Sequence, residues 1–337
     1  MVSKFTIKQY SKINEVKEAW EYLECLNPKT MPFQYYNYNK AIQKTSIFYW
    51  IKEISFPSFF IIYKNGKPIV LFPLCKTFSI KNRCCEYHLY GNRQNGIFDL
   101  LYDPNISRSD FIEAVKLLKC NISAPYFVRM RESSIVYKCF PSLNLESADS
   151  GVSIKLPFEG YGFYFSSLSK NVRQNIRTAY NRLNTDGCKL ELKVIRGKDV
   201  CKSLNQELLN VYLQRSQNRY SKKFNFTSKY QYKYIHHYSV TLNSLDNSRY
   251  YILFINGSVA AFMGCFINHA KNCLIVPRLA INDHFRRYSP GMILLNEAIK
   301  HSYDHTNIKE IDLSRGVDKY KLNMGGVIYS NYNFYLK

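Results

Sequence analysis

At 337 residues the chain is long enough for two domains of ordinary size. Hydrophobic residues make up 46% of it and aromatic residues 16%, which excludes an intrinsically disordered chain, and no apolar run approaches the roughly 20 residues that span a bilayer. The formal net charge is +22, and residues 151–337 carry 27 basic and 12 acidic side chains, a balance of +15. This excess predicts an anionic partner, such as a nucleotide, a phosphorylated sugar, RNA or a membrane face, unless it reflects a composition bias alone.

Cysteine and histidine usage indicates neither a metal site nor a disulfide framework. The ten cysteines include no C-x-x-C pair, and the seven histidines include no HExxH spacing. We therefore predict reduced thiols and no metal. The N-terminal segment has no apolar core of the kind that a secretory signal carries, so a cytoplasmic protein is expected.

The first half of the chain mixes strand and helix patterns. Runs of apolar, β-branched and aromatic residues predict strands, and apolar residues at helical spacing predict helices. The predicted strands lie near residues 5–9, 84–89, 126–131 and 152–156, the helices near residues 14–26, 35–45 and 108–118, and a hairpin covers residues 59–75.

The second half repeats this order. Both halves read β-α-α-β-β-β-α-β-(α)-β. Gly160 and Gly162 interrupt the pattern between them, which predicts two domains, residues 1–160 and 161–337. The strands predicted in the second half lie near residues 189–195, 272–280, 309–313 and 328–335, the helices near residues 199–214 and 228–242 and from residue 290, and a hairpin covers residues 250–267.

The two hairpins are similar in sequence. Residues 59–75 read FFIIYKNGKPIVLFPLC, and residues 250–266 read YYILFINGSVAAFMGCF. Asn65-Gly66 and Asn256-Gly257 stand at their centres. Asn-Gly between two apolar runs predicts a type I′ turn, in which both central residues have a positive φ.

A basic amphipathic helix is predicted within residues 167–187. Lys170, Arg173, Arg177 and Arg182 lie largely off its apolar stripe. These basic side chains form either a solvated face or a rim beside a phosphate-bearing substrate. The stripe consists of Leu168, Val172, Ile176, Ala179 and Leu183.

The segment Phe285–Lys321 reads FRRYSPGMILLNEAIKHSYDHTNIKEIDLSRGVDKYK. Ser289 is a good N-cap for the helix that follows, and Pro290 is a good first helical residue. Free N–H groups, the positive end of the helix dipole and an arginine would meet there, which suits a phosphate or pyrophosphate. A short strand carrying Asp312 follows the helix, and Tyr320-Lys321 comes soon after it.

These motifs resemble the double-GNAT acyltransferases, and among them the CelD/BcsL-type acetyltransferases of polysaccharide biosynthesis. The FemABX aminoacyl transferases are similar in architecture. The resemblance rests on Leu168–Leu183, Tyr288–Gly291 and Asp312–Lys321, with weaker support along nearly the whole chain. It implies an α/β fold of the α+β GNAT type: two tandem GNAT-like domains, each a twisted mixed β-sheet flanked by helices. The implied activity is acyl transfer from acetyl-CoA or another acyl-CoA to a nitrogen or oxygen of a sugar nucleotide or a polysaccharide or cell-envelope precursor.

The resemblance also implies that acyl-CoA binds the second half. The GNAT pyrophosphate signature, Arg/Gln-x-x-Gly-x-Gly/Ala, is matched by Arg286-x-x-Ser289-x-Gly291, where a serine replaces the first glycine. The first half lacks this motif before its helix at Arg108, so it is expected to shape the acceptor site. The expected donor-binding residues are Arg286, Arg287, Ser289, Gly291 and Met292.

Three residues are candidates for the chemistry. By analogy with the FemABX proteins, Lys321 would stabilise the oxyanion. Asp312 would accept a proton or pair with Arg315 and hold the loop, and Asp99, in the apolar context GIFDLLYDP, is a candidate general base. The expected acceptor-binding residues are Tyr212, Arg215, Arg315 and Tyr320.

Two other functions stay open. An aminoacyl-tRNA-dependent transferase of the FemABX kind would keep the fold and use the basic residues of the second half to bind tRNA phosphates. A non-catalytic double-GNAT protein would bind RNA or another anionic partner through the same basic face. The YSPG and DLSRG sequences favour the CoA-dependent branch.

Overall fold

The chain divides into two compact units. The computed structural model describes residues 5–46, 53–79, 84–91, 99–122, 125–140, 146–220, 235–236, 239 and 242–335. The first unit comprises Met1–Ser150 and Ser330–Lys337, and the second unit comprises Gly151–Tyr329. Each is a mixed β-sheet flanked by helices, which confirms the predicted fold class.

The sheet of the first unit has the strand order β1-β2-β3-β4-β6-β15-β7, with β5 paired to β3. Its strands are β1 (Phe5–Tyr10), β2 (Glu53–Lys64), β3 (Lys67–Ser79), β4 (Cys84–Leu89), β5 (Leu101–Tyr102), β6 (Tyr126–Arg131), β7 (Glu146–Ser147) and β15 (Asn331–Tyr335). Its α-helices are α1 (Lys17–Leu26), α2 (Tyr36–Ser46), α3 (Arg108–Asn121) and α4 (Ile135–Cys139).

Strand β2 is buried on both faces. Successive side chains of a strand point to opposite faces. Phe60 and Ile62 therefore pack in one apolar cluster with residues of α3, while Phe59 and Ile61 pack in another with Trp20 of α1. Helices thus cover both faces of this sheet.

The sheet of the second unit has the order β14-β8-β13-β12-β11-β10-β9. Its strands are β8 (Gly151–Lys155), β9 (Leu190–Arg196), β10 (Ser248–Ile255), β11 (Ser258–Asn268), β12 (Cys273–Ile281), β13 (Glu310–Arg315) and β14 (Val327–Tyr329). Its α-helices are α5 (Tyr161–Ser167), α6 (Lys170–Thr185), α7 (Lys202–Tyr220), α8 (Pro290–His305) and α9 (Lys319–Asn323). The helix predicted over residues 228–242 lies almost wholly outside the described residues.

The predicted basic helix is confirmed as α6. The whole apolar stripe from Leu168 to Leu183 is buried against residues of α8 and the sheet, while Lys170, Arg177 and Arg182 are exposed. The hydroxyl of Ser169 accepts the Val172 N–H at 3.3 Å and caps the helix start. On the other face of the sheet, α7 packs through Leu208 and Val211.

Both predicted hairpin turns are confirmed. Asn65 and Gly66 have φ values of 52° and 81°, and Asn256 and Gly257 have 50° and 78°. Asparagine and glycine adopt this left-handed region most readily, which is why Asn-Gly marks the turn in both units.

The last strands of the two halves are assigned differently from the prediction. Residues 152–156, predicted to end the first half, form β8, which pairs with β13 and β14 in the second unit. The predicted strand over residues 328–335 is two strands, and the second of them, β15, pairs with β6 and β7 in the first unit. The boundary along the chain consequently falls between Ser150 and Gly151 and not near residue 160.

Within the described ranges, no helix combines the length and the apolar composition needed to cross a bilayer.

Candidate functional site

The two parallel strands of the second unit separate after a short contact. Among the described residues, β12 and β13 pair from Cys273–Ile275 to Glu310–Asp312. Beyond Ile275, β12 stays paired with β11 as far as Ile281, while β13 pairs with β8 as far as Arg315. The carboxyl ends of the two strands therefore diverge, and we call the opening between them the wedge.

Helix α8 begins beside the end of β12. A 3₁₀ helix, Asp283–Tyr288, links the two elements. A Cβ atom added to Gly291 would lie 3.1 Å from Cγ2 of Ile281, so glycine permits the helix start to approach the strand closely. The positive end of this helix therefore lies at the same edge of the sheet as the wedge.

Ser289 occupies the N-cap position in an unexpected conformation. Its φ is 52° and its ψ is 51°, and its hydroxyl makes no capping hydrogen bond, which corrects the predicted side-chain cap. Its carbonyl oxygen accepts the N–H groups of Met292 and Ile293 at 3.0 and 3.2 Å. Since Pro290 has no N–H, the Gly291 N–H is the donor at this helix start that has no partner among the described residues.

The two neighbouring arginines differ in their partners. Arg287 forms an ion pair of 2.7 Å with Asp186, which also accepts the Tyr288 hydroxyl at 2.7 Å. The hydrogen bond to Asp186 raises the pKa of Tyr288 to about 12. The Arg286 guanidinium is exposed and has no partner among the described residues. Of the two arginines, Arg286 is thus the one available to an incoming anion.

Lys321 is buried and holds the turn that follows β13. Its side chain is 5% exposed, and its ammonium group donates to the carbonyl oxygens of Leu313, Arg315 and Gly316 at 2.9, 2.7 and 2.9 Å. The Asp318 carboxylate lies 3.9 Å from the same nitrogen. An ammonium has three N–H donors, and three carbonyls take them. Lys321 therefore fixes the turn, and donation to an oxyanion would require one of these bonds to open.

Asp312 lies at the point where β12 and β13 part. Its side chain is completely buried. One carboxylate oxygen accepts the Ser314 N–H at 2.9 Å and the Tyr329 hydroxyl at 2.8 Å. The Tyr329 ring lies against Gly151, where a Cβ atom would be 2.1 Å from the ring carbon Cζ. Asp312 is thus held by its own turn and by β14.

The predicted acceptor-binding residues are dispersed within the second unit. Tyr212, on α7, is half-buried, and the Arg278 guanidinium lies 4.7 Å from the centre of its ring. The side chain of Arg215 lies outside the described residues. Arg315 is exposed on the turn held by Lys321. Tyr320 is partly buried and packs against the apolar cluster that contains the buried residues of α6 and α8. Met292 packs against the same cluster, so its side chain anchors the start of α8 to the core.

Asp99 belongs to the first unit. Its carboxylate accepts the N–H of Leu100 at 2.8 Å, and Leu100 and Leu101 after it are fully buried. The apolar context expected for this carboxylate is present. Its role as a general base stays a prediction.

Sequence reasoning missed three residues that organise this region. Asp186, Gly151 and Tyr329 each act through a partner more than 15 residues away, so no local motif marks them. Among the described side chains, no group of three His, Cys, Asp or Glu residues is arranged to hold a metal ion.

The second unit matches a known domain family. A family described as "Acetyltransferase (GNAT) domain" matches residues 170–322, from the start of α6 into α9. This range contains the wedge, the start of α8 and Lys321. None of the curated proteins matches the sequence.

Solved structures extend the likeness to the whole chain. A tandem GNAT protein from the clavulanic acid biosynthesis pathway has a TM-score of 0.52 at 8% identity, over 98% of each chain. The chain has a tandem GNAT fold. A conserved protein of unknown function from Bacteroides thetaiotaomicron has a TM-score of 0.59 at 11% identity, over 98% of this chain and 100% of that chain. FemX has a TM-score of 0.50 at 10% identity, over 98% of this chain and 97% of that chain.

Proposed function

We propose that the second unit transfers an acyl group from acyl-CoA to a nitrogen or oxygen of a sugar nucleotide or of a polysaccharide or cell-envelope precursor, as CelD/BcsL-type acetyltransferases do. One observation carries the proposal. At a single edge of the sheet, the wedge between β12 and β13 meets the start of α8 and the turn held by Lys321. A thioester that enters such a wedge has its phosphates at a helix N-terminus and its carbonyl near a fixed turn.

The start of α8 suits the CoA pyrophosphate in a particular way. Two of its first N–H groups are bonded to Ser289, and Pro290 has none. Binding therefore relies on the Gly291 N–H, the helix dipole and the Arg286 guanidinium, which has no partner among the described residues. A guanidinium forms two parallel hydrogen bonds with a phosphate, which compensates for the missing backbone donors.

The chemistry requires an acceptor that loses a proton and a thiolate that gains one. Acyl-CoA supplies the activated carbonyl. Asp312 and Tyr329, joined by a hydrogen bond at the origin of the wedge, are a carboxylate and a phenol of the kind that exchange protons with a substrate. Lys321 fixes the carbonyl groups of the turn in place, so that the wall of the wedge is rigid before the donor binds.

The first unit takes the acceptor role in this proposal. Its helix α3 is capped by Ser107, whose hydroxyl accepts the Asp110 N–H at 3.1 Å. The Asp110 carboxylate, in the first turn, pairs with Lys64 at 2.7 Å. A carboxylate at a helix N-terminus repels a phosphate, which supports a single CoA site in the second unit.

Aminoacyl-tRNA is the second candidate donor. The balance of +15 in residues 151–337 and the exposed basic side chains of α6 favour it. With that donor, binding would depend steeply on salt.

Calorimetric titration of acetyl-CoA tests the proposal. We expect micromolar binding to the parent protein and a loss of about tenfold or more, equivalent to about 1.4 kcal/mol, in Arg286→Ala. Arg196→Ala is the matched control, because Arg196 is an exposed arginine on the edge strand β9 and pairs with Asp199. Equal affinity in all three proteins would contradict the assignment of Arg286.

A further inference from the structure

Two phenylalanines near the start of the second unit face solvent. Phe158, in the loop before α5, is 100% exposed, and Phe163, on α5, is 52% exposed. Between them, Gly160 has a φ of 101°, which a larger residue rarely adopts, so the loop conformation is built into the sequence. A single exposed apolar side chain is ordinary, whereas several on adjoining segments mark an interaction surface.

Two aliphatic side chains are exposed on adjoining segments. Leu322 of α9 and Val327 of β14 stand on either side of the turn at residues 324–326. That turn contacts α5, because the Tyr164 hydroxyl donates to the Met324 carbonyl at 2.9 Å. We call Phe158, Phe163, Leu322 and Val327 the apolar patch.

Cations flank the C-terminal end of α5. The Arg173 guanidinium donates to the carbonyls of Ser166 and Leu168 at 2.5 and 2.6 Å. The Arg177 guanidinium lies 5.7 Å from the centre of the Phe165 ring, and Lys170 is exposed at the start of α6. Residues 151–187 contain five basic and two acidic side chains. An apolar surface beside clustered cations is the composition of a surface that binds anionic bilayers.

We propose that the apolar patch docks on a membrane surface that contains anionic lipids. Phe158 and Phe163 would enter the interface between headgroups and acyl chains, while Lys170 and Arg177 would face the lipid phosphates. A second copy of the chain is a poorer occupant, because a net charge of +22 opposes self-association. RNA is also a poorer occupant: bases could stack on Phe158 and Phe163, but the aliphatic side chains of Leu322 and Val327 would stay in water, whereas acyl chains bury all four.

Vesicle co-sedimentation of the full chain tests this proposal without measuring acyl transfer. The probes are vesicles of phosphatidylcholine alone and vesicles in which about one third of the lipid is phosphatidylglycerol, at about 150 mM salt. We expect binding to the anionic vesicles and at least tenfold weaker binding to the neutral ones. Replacing both aromatics, in Phe158→Ser/Phe163→Ser, should weaken binding to anionic vesicles by about tenfold or more.

A matched control comes from the first unit. Phe56 is 57% exposed on β2, and Phe56→Ser should bind anionic vesicles as the parent does. Lys170→Gln should weaken binding about fivefold, since one cation near an anionic surface contributes about 1 kcal/mol. Thermal unfolding would verify that each variant is folded.

Three results would overturn the proposal. The first is no binding of the parent to either kind of vesicle. The second is unchanged binding of the double phenylalanine variant, which would leave only a general attraction between a cationic protein and a polyanion. The third is an equal loss in Phe56→Ser. None of them bears on acetyl-CoA binding, so a failure here is distinguishable from a failure of the proposed activity.

Discussion

Tyr329 donates a hydrogen bond of 2.8 Å to the buried carboxylate of Asp312, and this bond joins the last strand of the second unit to β13 at the point where β13 parts from β12. The tyrosine ring reaches that position by lying against Gly151. No side chain larger than a hydrogen atom fits at position 151 beneath the ring. Because Asp312 also accepts the Ser314 N–H, its carboxylate is held from two directions at the origin of the wedge. A group held in this way keeps its orientation without a bound substrate.

Gly151→Ala should lower the free energy of unfolding by about 2 kcal/mol, because its methyl group would overlap the Tyr329 ring. The cost should fall below about 0.5 kcal/mol when Gly151→Ala is made in a Tyr329→Ala background, where the ring is absent. Chemical denaturation of the four proteins measures this coupling. Equal costs in both backgrounds would mean that the strain lies elsewhere.

Lys321→Met should destabilise the protein by about 3 kcal/mol, because three carbonyl groups would lose the buried ammonium that donates to them. Lys319→Met, on the exposed side of the same helix, should change stability by less than about 0.5 kcal/mol. Urea denaturation compares the two variants. If Lys321→Met is as stable as its control, the ammonium does not hold the turn.

Asp186→Asn should strengthen acetyl-CoA binding by about two- to fivefold. The substitution removes a negative charge beside the helix start and releases Arg287 from its ion pair. Asp199→Asn is the control, since it makes the same change of charge at an arginine pair on the edge of the sheet. Calorimetric titration measures both. Weaker binding in Asp186→Asn would show that the Asp186 carboxylate positions the site instead of competing with the donor.

His301 should make stability depend on pH. Burial lowers the pKa of His301 below its ordinary value of 6.5, and the neighbouring His305 lowers it further, against an opposing effect of Asp304. A histidine whose pKa is depressed in the folded state binds a proton less readily there than in the unfolded chain, so stability falls as pH falls through 6.5. Its ring packs edge-on against Tyr251, and its Nδ1 has no hydrogen-bond partner among the described residues.

His301→Gln should therefore lose less stability than the parent between about pH 7.5 and about pH 5.5. Denaturation of the variant and of the parent at both pH values gives the change in the free energy of unfolding for each protein. His284→Gln is the control, since that imidazole is exposed on the 3₁₀ helix before α8. A parent-like loss of stability in His301→Gln would assign the pH dependence to other groups.

Features with a local cause could be predicted from the sequence. The hairpin turns follow from Asn65-Gly66 and Asn256-Gly257, whose backbone angles need no distant partner. The buried stripe of α6 follows from apolar residues at helical spacing. The start of α8 was placed correctly by Pro290, although the left-handed backbone of Ser289 removes the expected side-chain cap.

Features that depend on residues far away in the chain could not be predicted from the sequence. The apolar pattern of a strand shows which faces are buried but not which strand lies beside it, so β8 and β15 were assigned to the wrong halves. Lys321 follows a tyrosine as many surface lysines do, and its burial depends on three carbonyls that converge only in the folded turn. The contact of Tyr329 with Gly151 joins positions at opposite ends of the second unit.

The identity of the donor is the central claim, and titrating acetyl-CoA and charged tRNA separately into one preparation tests it most directly. The proposed function predicts saturable, micromolar binding of acetyl-CoA at about 150 mM salt, competition by free CoA, and weaker, strongly salt-dependent binding of charged tRNA. Saturable binding of charged tRNA at the same salt, with no heat from acetyl-CoA, would contradict the proposed function. The donor that binds in the wedge would then be aminoacyl-tRNA.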